Sequence, residues 1–367
     1  RIGIIGAGQL GRMLGFAAAE LGDTCTFLDP SPEPPAAAAG HVIQAAYDDP
    51  GALAELAARS DVVSYEFENV PVDALLGITA SVSVFPPPAA LRQAQDRLLE
   101  KQLFARLDIP LPAYRAVDSI DDLNAAVRAI GLPLVLKTRR LGYDGKGQAV
   151  IRDSACIEPA WQALSPAPLI AEQWIDFDYE VSAIGARSRD HEVVMYPLTR
   201  NEHAHGILRV SRAPVEAPGL DELAASYMQR LLEDLEYIGV LALELFVTSD
   251  ALAANEFAPR VHNSGHWTIE GAETSQFANH IRAITGRRLG LPAARGHACM
   301  VNLISEIPAA ARRIETGHLH DYGKKPRPGR KLGHITAVAG SVAERERLLA
   351  DIEQTVTRIT QVSRIQT

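Results

Sequence analysis

Cysteine is scarce in this chain, with three in 367 residues, at positions 25, 156 and 299. The number is odd, the spacing is wide, and no CxxC pair or His/Cys cluster surrounds any of them. That pattern argues against a disulfide framework or a zinc site and predicts buried free thiols in a reducing cytoplasm. Long apolar runs are lacking too. Nothing approaches the ~18 uninterrupted apolar residues of a membrane helix, so no membrane span is expected. No charged leader with an apolar core precedes the first strand, so no secretory signal is expected, and the missing initiator Met suggests a few residues ahead of Arg1. Cations are in deficit. A formal net charge of −9 makes the surface repel nucleic acid, so any anionic substrate must be held by a local cationic cluster.

The length predicts two or three domains, being too great for one ordinary core. Strands at 2–5, 24–28 and 61–65 alternate with helices at 10–21 and 51–58, which predicts a parallel sheet with helices on both faces. After the triple proline at 86–88, a helix over 89–107 leads out of this unit. The middle segment holds short strands at 134–137, 148–151, 169–174 and 180–186, a small β-rich unit. From 206 onward come strands at 208–213, 241–247 and 252–257, with a long helix at 220–235. The expected domains are 1–100, 101–205 and 206–367.

Gly6-Ala7-Gly8-Gln9-Leu10-Gly11 follows a strand and opens a helix, and Asp29 ends the next strand. This fits a dinucleotide fingerprint, with the helix N-terminus favouring an anion. The same glycines also fit a turn that only packs helix on strand, or a fold-mate that binds a different phosphate.

Lys137 ends an apolar strand, and Gly142-Tyr143-Asp144-Gly145-Lys146-Gly147-Gln148 bridges to the next. Such a loop can fold its backbone N–H groups over a polyphosphate while Lys137 and Lys146 supply charge. The GxxxxGK[ST] order of a Walker loop is absent, and a solvated basic hairpin is the bland alternative. Glu172 stands in an apolar strand and Glu180 opens another. A strand edge can pair with adenine and a carboxylate can take two ribose hydroxyls, although both acids also suit plain surface positions.

A turn centred near Asp250 would set Glu244 opposite Glu256 on one face of a hairpin. Two carboxylates that close repel unless a cation sits between them, and Leu, Ala and Phe surround both. Magnesium completed by substrate phosphates resolves the conflict; a register error leaving one Glu in water is the alternative. His262 and His266 are four apart, but Gly265 and the missing HExxH glutamate argue against a zincin helix. A loop of donors beside such a site suits an anion.

Together, Lys137, the glycine loop, the acid-bearing strand and Glu244…Asn255-Glu256 resemble the ATP-grasp superfamily. Gly8-Gln9-Leu10-Gly11-Arg12-Met13, with the segments 142–148, 256–268 and 327–334, resembles more specifically the 5-(carboxyamino)imidazole ribonucleotide synthases of microbial purine synthesis. These segments stand in the family's order and cover most of residues 1–340. The resemblance implies an α/β ATP-grasp fold: a Rossmann-like pre-ATP-grasp domain, a small β-rich lid and a C-terminal α+β domain, working as a cytoplasmic homodimer. It implies that Arg97, Lys137, Gly142, Tyr143, Asp144, Gly145, Lys146, Gly147, Gln148, Glu172, Gln173, Trp174, Ile175, Glu180, His203, Asn255 and Glu256 hold ATP. Glu244 and Glu256 would carry Mg2+, and Arg260, His262 and Asn263 would hold bicarbonate and then carboxyphosphate. Tyr143, Asp144, Lys146, Lys324, Arg330 and Lys331 would grip the ribonucleotide, with Glu68 facing its aminoimidazole and Glu66 as the alternative.

Charge agrees with that division. Lys324, Lys325, Arg327, Arg330 and Lys331 put five cations into eight residues without an acid, a candidate grip for a phosphate monoester. A solvated basic loop is the alternative. The implied reaction carboxylates 5-aminoimidazole ribonucleotide with ATP and bicarbonate through carboxyphosphate. Competing readings are another ATP-grasp ligase using a different amine or formate, a nicotinamide oxidoreductase built on 6–11 and Asp29, and a non-catalytic nucleotide-binding module.

Overall fold

The computed structural model describes residues 1–142, 146–249 and 251–362. A five-stranded parallel sheet comes first, in the order His41–Ile43, Cys25–Leu28, Ile2–Ile5, Val62–Tyr65, Ser83–Val84. Ile2–Ile5 and Val62–Tyr65, Ser64 included, are buried at every position, as strands in a sheet covered on both faces are. Ile2 and Ile4 pack with the helix Gln9–Glu20; Ile5 and Val63 pack with Leu53 and Leu56 of Pro50–Arg59 on the other side. The chain winds outward from Ile2–Ile5 to one edge, then crosses to the other. The glycine motif therefore sits at the switch point, where doubly wound sheets open a crevice.

The helix expected over 89–107 is two helices, Pro88–Ala94 and Arg97–Arg106. The Asp96 side chain accepts the Leu98 N–H at 3.0 Å and so caps a new start where the sequence pattern ran on.

A four-stranded antiparallel sheet follows, ordered Tyr114–Val117, Leu169–Gln173, Leu134–Thr138, Gln148–Ile151. Helices Ile120–Ile130 and Ile157–Leu164 close its apolar face. The strand expected at 180–186 does not join this unit. Tyr179–Arg187, buried from Val181 onward, pairs with Gly239–Thr248 on one side and Thr199–Ala204 on the other. A strand that apolar needs cover on both flanks, and only the larger sheet supplies it. That sheet has nine strands, running from Ala251–Ala258 and Gly239–Thr248 through Tyr179–Arg187, Thr199–Ala204, Ile207–Ala213, His297–Ile304 and Lys331–Ala339 to His318–Asp321, with Val193–Met195 beside Tyr179–Arg187. Helix Leu220–Asp234 packs on the end holding the two glutamates, and the helix Val342–Val362 covers the far end. No described helix is long and apolar enough to cross a membrane.

Candidate active site

Glu244 lies opposite Glu256 in the hairpin of Gly239–Thr248 and Ala251–Ala258, but the register that puts it there is broken. Thr248 through Leu245 pair with Ala251 through Ala254; Asn255 is then passed over before Glu244 meets Glu256. This is a β-bulge. A uniform register carried on from the turn would set Glu244 against Asn255 and turn Glu256 to the other face. Asp250, the expected centre of the turn, lies outside the described residues.

The pair is electrostatically uneven. Glu244's side chain is 13% exposed and that of Glu256 40%. Burial, and then the charge of Glu256, push the Glu244 carboxyl up. Burial acts on Glu256 in the same sense, but Arg97, 2.7 Å away, overrides it and holds Glu256 below the usual carboxylate range. The site lacks one positive charge for both groups to ionise, and two oxygen donors of this kind suit a hard divalent cation.

Two cavities open from this point and share Arg97, Glu244, Glu256, His262, Asn263 and Lys331. The larger, about 350 Å³, is lined by Lys137, Gln148, Glu172, Gln173, Trp174, Ile175, Glu180, His203 and Asn255. These are most of the residues expected around ATP. Lys137 Nζ donates to Glu172 Oε2 at 3.0 Å, and Lys101 stands 3.4 Å from the same oxygen. Burial would raise Glu172, but Lys101 and then Lys137 hold it down at about 2, while burial lowers Lys137. His203 Nδ1 and Glu180 Oε2 are 2.9 Å apart, and that contact raises His203 although burial opposes it.

The smaller cavity, about 280 Å³, is lined by Gln9, Glu68, Arg97, Arg139, Gly142 and Arg260 among others. Gly142, expected beside ATP, faces this cavity instead. Arg260 Nη2 pairs with Glu68 Oε1 at 2.8 Å. His262 Nδ1 lies 2.8 Å from Ser264 Oγ and 3.4 Å from the Ser264 N–H, which leaves the ring proton on Nε2, 3.5 Å from Glu244. Burial, reinforced by Arg260, lowers His262 far enough to keep it neutral. Asn263 and Asn302 exchange amide hydrogen bonds at 3.1 and 2.7 Å, which fixes the orientation of the Asn263 amide.

The glycine motif has another occupant. The Glu66 carboxylate accepts the N–H groups of Gly8 and Gly11 at the start of helix Gln9–Glu20. Asp29, the would-be ribose ligand, accepts from Ala7 N–H at 2.9 Å, Ser31 N–H at 2.8 Å and Tyr47 Oη at 2.9 Å. The dinucleotide reading fails because the protein's own carboxylates fill both positions. A Cβ on Gly8 would come within 2.6 Å of Glu66 Oε1. Both Glu66 and Glu68 border the smaller cavity, but the Glu66 carboxylate is committed to the helix end.

Comparison with known proteins agrees with this architecture. Residues 1–95 match the ribonucleotide synthetase preATP-grasp domain, 102–277 the ATP-grasp domain, and 298–348 the phosphoribosylaminoimidazole carboxylase C-terminal domain. An N5-carboxyaminoimidazole ribonucleotide synthase of Pseudomonas aeruginosa is 47% identical over 355 residues, 96% of this chain and 98% of that protein. The chain belongs to the N5-carboxyaminoimidazole ribonucleotide synthase family. The crystal structure of the Thermus thermophilus synthetase superposes with a TM-score of 0.93 at 48% identity, covering 97% of this chain and 99% of that one. An Aspergillus clavatus synthase in complex with ADP and 5-aminoimidazole ribonucleotide superposes at 0.90 and 30% identity, covering 97% and 98%.

The remaining residues expected from the family resemblance are placed less uniformly. Lys331 reaches both cavities, whereas Lys324 and Arg330 line neither. Lys324 comes back toward Glu66, and burial, with Arg330 nearby, pushes it down to about 8. Arg330 Nη1 donates to the Lys325 carbonyl at 3.2 Å. Lys146 is exposed and Gly147 holds a φ of +71° against Thr138. Tyr143, Asp144 and Gly145 lie outside the described residues. Sequence reasoning missed Glu100, Lys101 and Asn302, all buried beside the site. For Glu100 and Lys101 a signal existed: charged residues three and four beyond Arg97 on one helix share its face. Asn302 sits in the apolar strand His297–Ile304, and no motif marks it.

Proposed function

We propose that this protein carboxylates 5-aminoimidazole ribonucleotide with bicarbonate at the expense of ATP, forming N5-carboxyaminoimidazole ribonucleotide, ADP and phosphate in purine biosynthesis. The meeting of two cavities at one carboxylate pair carries the reading, since a phosphoryl group can pass between nucleotide and bicarbonate only where their sites adjoin. The family's Aspergillus complex with ADP and the ribonucleotide supports the same pair of ligands.

In this reading ATP lies in the larger cavity, adenine along Glu172–Ile175, ribose at Glu180 and phosphates toward Lys137. Glu244 and Glu256 would hold Mg2+, which offsets charge developing on the transferred phosphate. Arg260 and Asn263 hold bicarbonate so that its oxygen attacks the γ-phosphorus as the bond to ADP breaks. Neutral His262 can donate to that anion from Nε2 without competing for the cation. Carboxyphosphate then separates into phosphate and carbon dioxide. The exocyclic amine, held near Glu68, bonds to that carbon and passes a proton to the released phosphate. Lys331, which lines both cavities, would hold the ribonucleotide phosphate at the edge of the smaller one, with Lys324 and Arg330 close behind it. Closing the four-stranded unit over the larger cavity would keep water from carboxyphosphate. A cytoplasmic homodimer belongs to the same reading; the three cysteines are free thiols, two of them buried.

Phosphate release in bicarbonate buffer, with and without the ribonucleotide, tests the proposal. Strong dependence on the ribonucleotide is expected, and equal rates would remove the substrate assignment.

A further inference from the structure

Helix Arg97–Arg106 presents Arg97, Glu100 and Lys101 on one face, and that face grips three consecutive residues of the bulged strand. Lys101 Nζ donates to the carbonyl of Asn255. Arg97 donates to the Glu256 carboxylate at 2.7 Å, and Glu100 Oε1 accepts the Phe257 N–H at 2.7 Å. Of the three, Lys101 is wholly buried, with 0% exposure. Burying an ammonium is costly unless its donors are used.

Charge balance accounts for part of this burial: Lys101 stands 3.4 Å from the Glu172 carboxylate and, with Lys137 at 3.0 Å, keeps it ionised. The Asn255 carbonyl requires a donor as well. As the extra residue of a bulge, Asn255 drops out of the strand ladder, and its part-buried carbonyl takes the Lys101 donor instead. We propose that Lys101 is a positioning residue: by holding the Asn255 carbonyl it maintains the bulge that turns Glu256 onto the face of Glu244, and so sets the cation-binding pair. The start of the same helix is tied to the segment leading into the glycine loop, through Arg97 N–H to the Arg139 carbonyl at 2.9 Å and Arg140 to Asp96 at 3.2 Å. One rigid helix therefore aligns the carboxylates with that segment.

This inference rests on the metal reading above, and the experiment separates the two. ADP affinity is measured by calorimetry in excess Mg2+ and in EDTA, and the ratio gives the magnesium-dependent gain. The parent should show a gain that Glu256→Gln loses; a parent without one removes the metal reading, and this inference with it, before any Lys101 variant is made. Lys101→Met, which keeps the stem and removes the donors, should cut the gain about tenfold, the loss of one charge-assisted contact, with a much smaller change in EDTA. A lysine that only supports the fold would lower the melting temperature and leave the gain at its parental value, and that result overturns the proposal. Should Lys101→Met fail to fold, Lys101→Arg keeps a cation near Glu172 but displaces the donors. It should show the same reduced gain, and a parental gain in that variant is equally decisive against the proposal.

Discussion

His280 Nε2 lies 3.0 Å from Ser64 Oγ and ties helix Gln276–Ile284 to the strand Val62–Tyr65 of the parallel sheet. Its Nδ1 accepts the Val240 N–H at 3.1 Å, so the ring proton is on Nε2 and the imidazole must stay neutral. Burial accordingly pushes it down to about 4. The unfolded chain then binds the proton first as pH falls. The His280 contribution is complete above about 6.5 and is lost progressively toward pH 4, a span worth about 3 kcal/mol. Buried His262, His266 and His334 shift in the same direction. The melting temperature should fall between pH 6.5 and 4, and less steeply in His280→Gln; parallel curves would contradict the assignment.

Lys324 gives the ribonucleotide site its own pH dependence. Burial disfavours its cation and leaves it titrating near 8, so the charge that attracts a phosphate is present below that pH and lost above it. Apparent ribonucleotide affinity should weaken as pH rises through 8, and the ATP titration should not move with it. Lys324→Ala or Arg330→Ala should cost about tenfold or more in ribonucleotide affinity. Unchanged titrations would return this loop to the solvated surface.

The two carboxylates should respond differently to the same isosteric change. Burial and the Glu256 charge already hold the Glu244 carboxyl largely protonated, so neutral Glu244→Gln should keep or raise the thermal stability of the magnesium-free protein. Glu256→Gln leaves the Arg97 guanidinium without its carboxylate. Because Glu256 is 40% exposed, solvent screening should limit the loss to about 1–2 kcal/mol. Both variants should lose ATP turnover. Thermal melts in EDTA beside phosphate-release assays check this, and equal melting temperatures would mean that Arg97 is not the stabilising partner.

Glu66→Ala should destabilise the N-terminal sheet by about 1–3 kcal/mol, since the N–H groups of Gly8 and Gly11 lose their acceptor inside the protein. NADH should neither bind nor change fluorescence with the parent. Tight NADH binding would revive the dinucleotide reading.

Local chemistry was legible where it repeats along the chain. The apolar run Ile2–Ile5 with a glycine turn, the loop after Lys137, and Glu244 and Glu256 at matched distances from a turn could each be read from spacing, because short-range sterics and strand periodicity act on neighbours. The register came out right for an incomplete reason. The pairing of Thr248 with Ala251 brings Glu244 opposite Glu256 only because the bulge at Asn255 adds the residue that a plain hairpin would lack.

Residue types and their order along the chain establish which groups are chemically able to hold a nucleotide, a cation and a phosphate. Which of those groups meet depends on how distant segments pack. Glu66 and Glu68 stand two residues apart, look alike and border the same cavity, yet the Glu66 carboxylate is taken up by a helix end and that of Glu68 by Arg260. Tyr179–Arg187 left the small sheet for the larger one, and Lys101, a plain helix residue on paper, is buried against a strand far away in the chain. Burial, desolvation and pairing are properties of contacts between distant segments, and the pattern of neighbours along a strand or helix does not encode them.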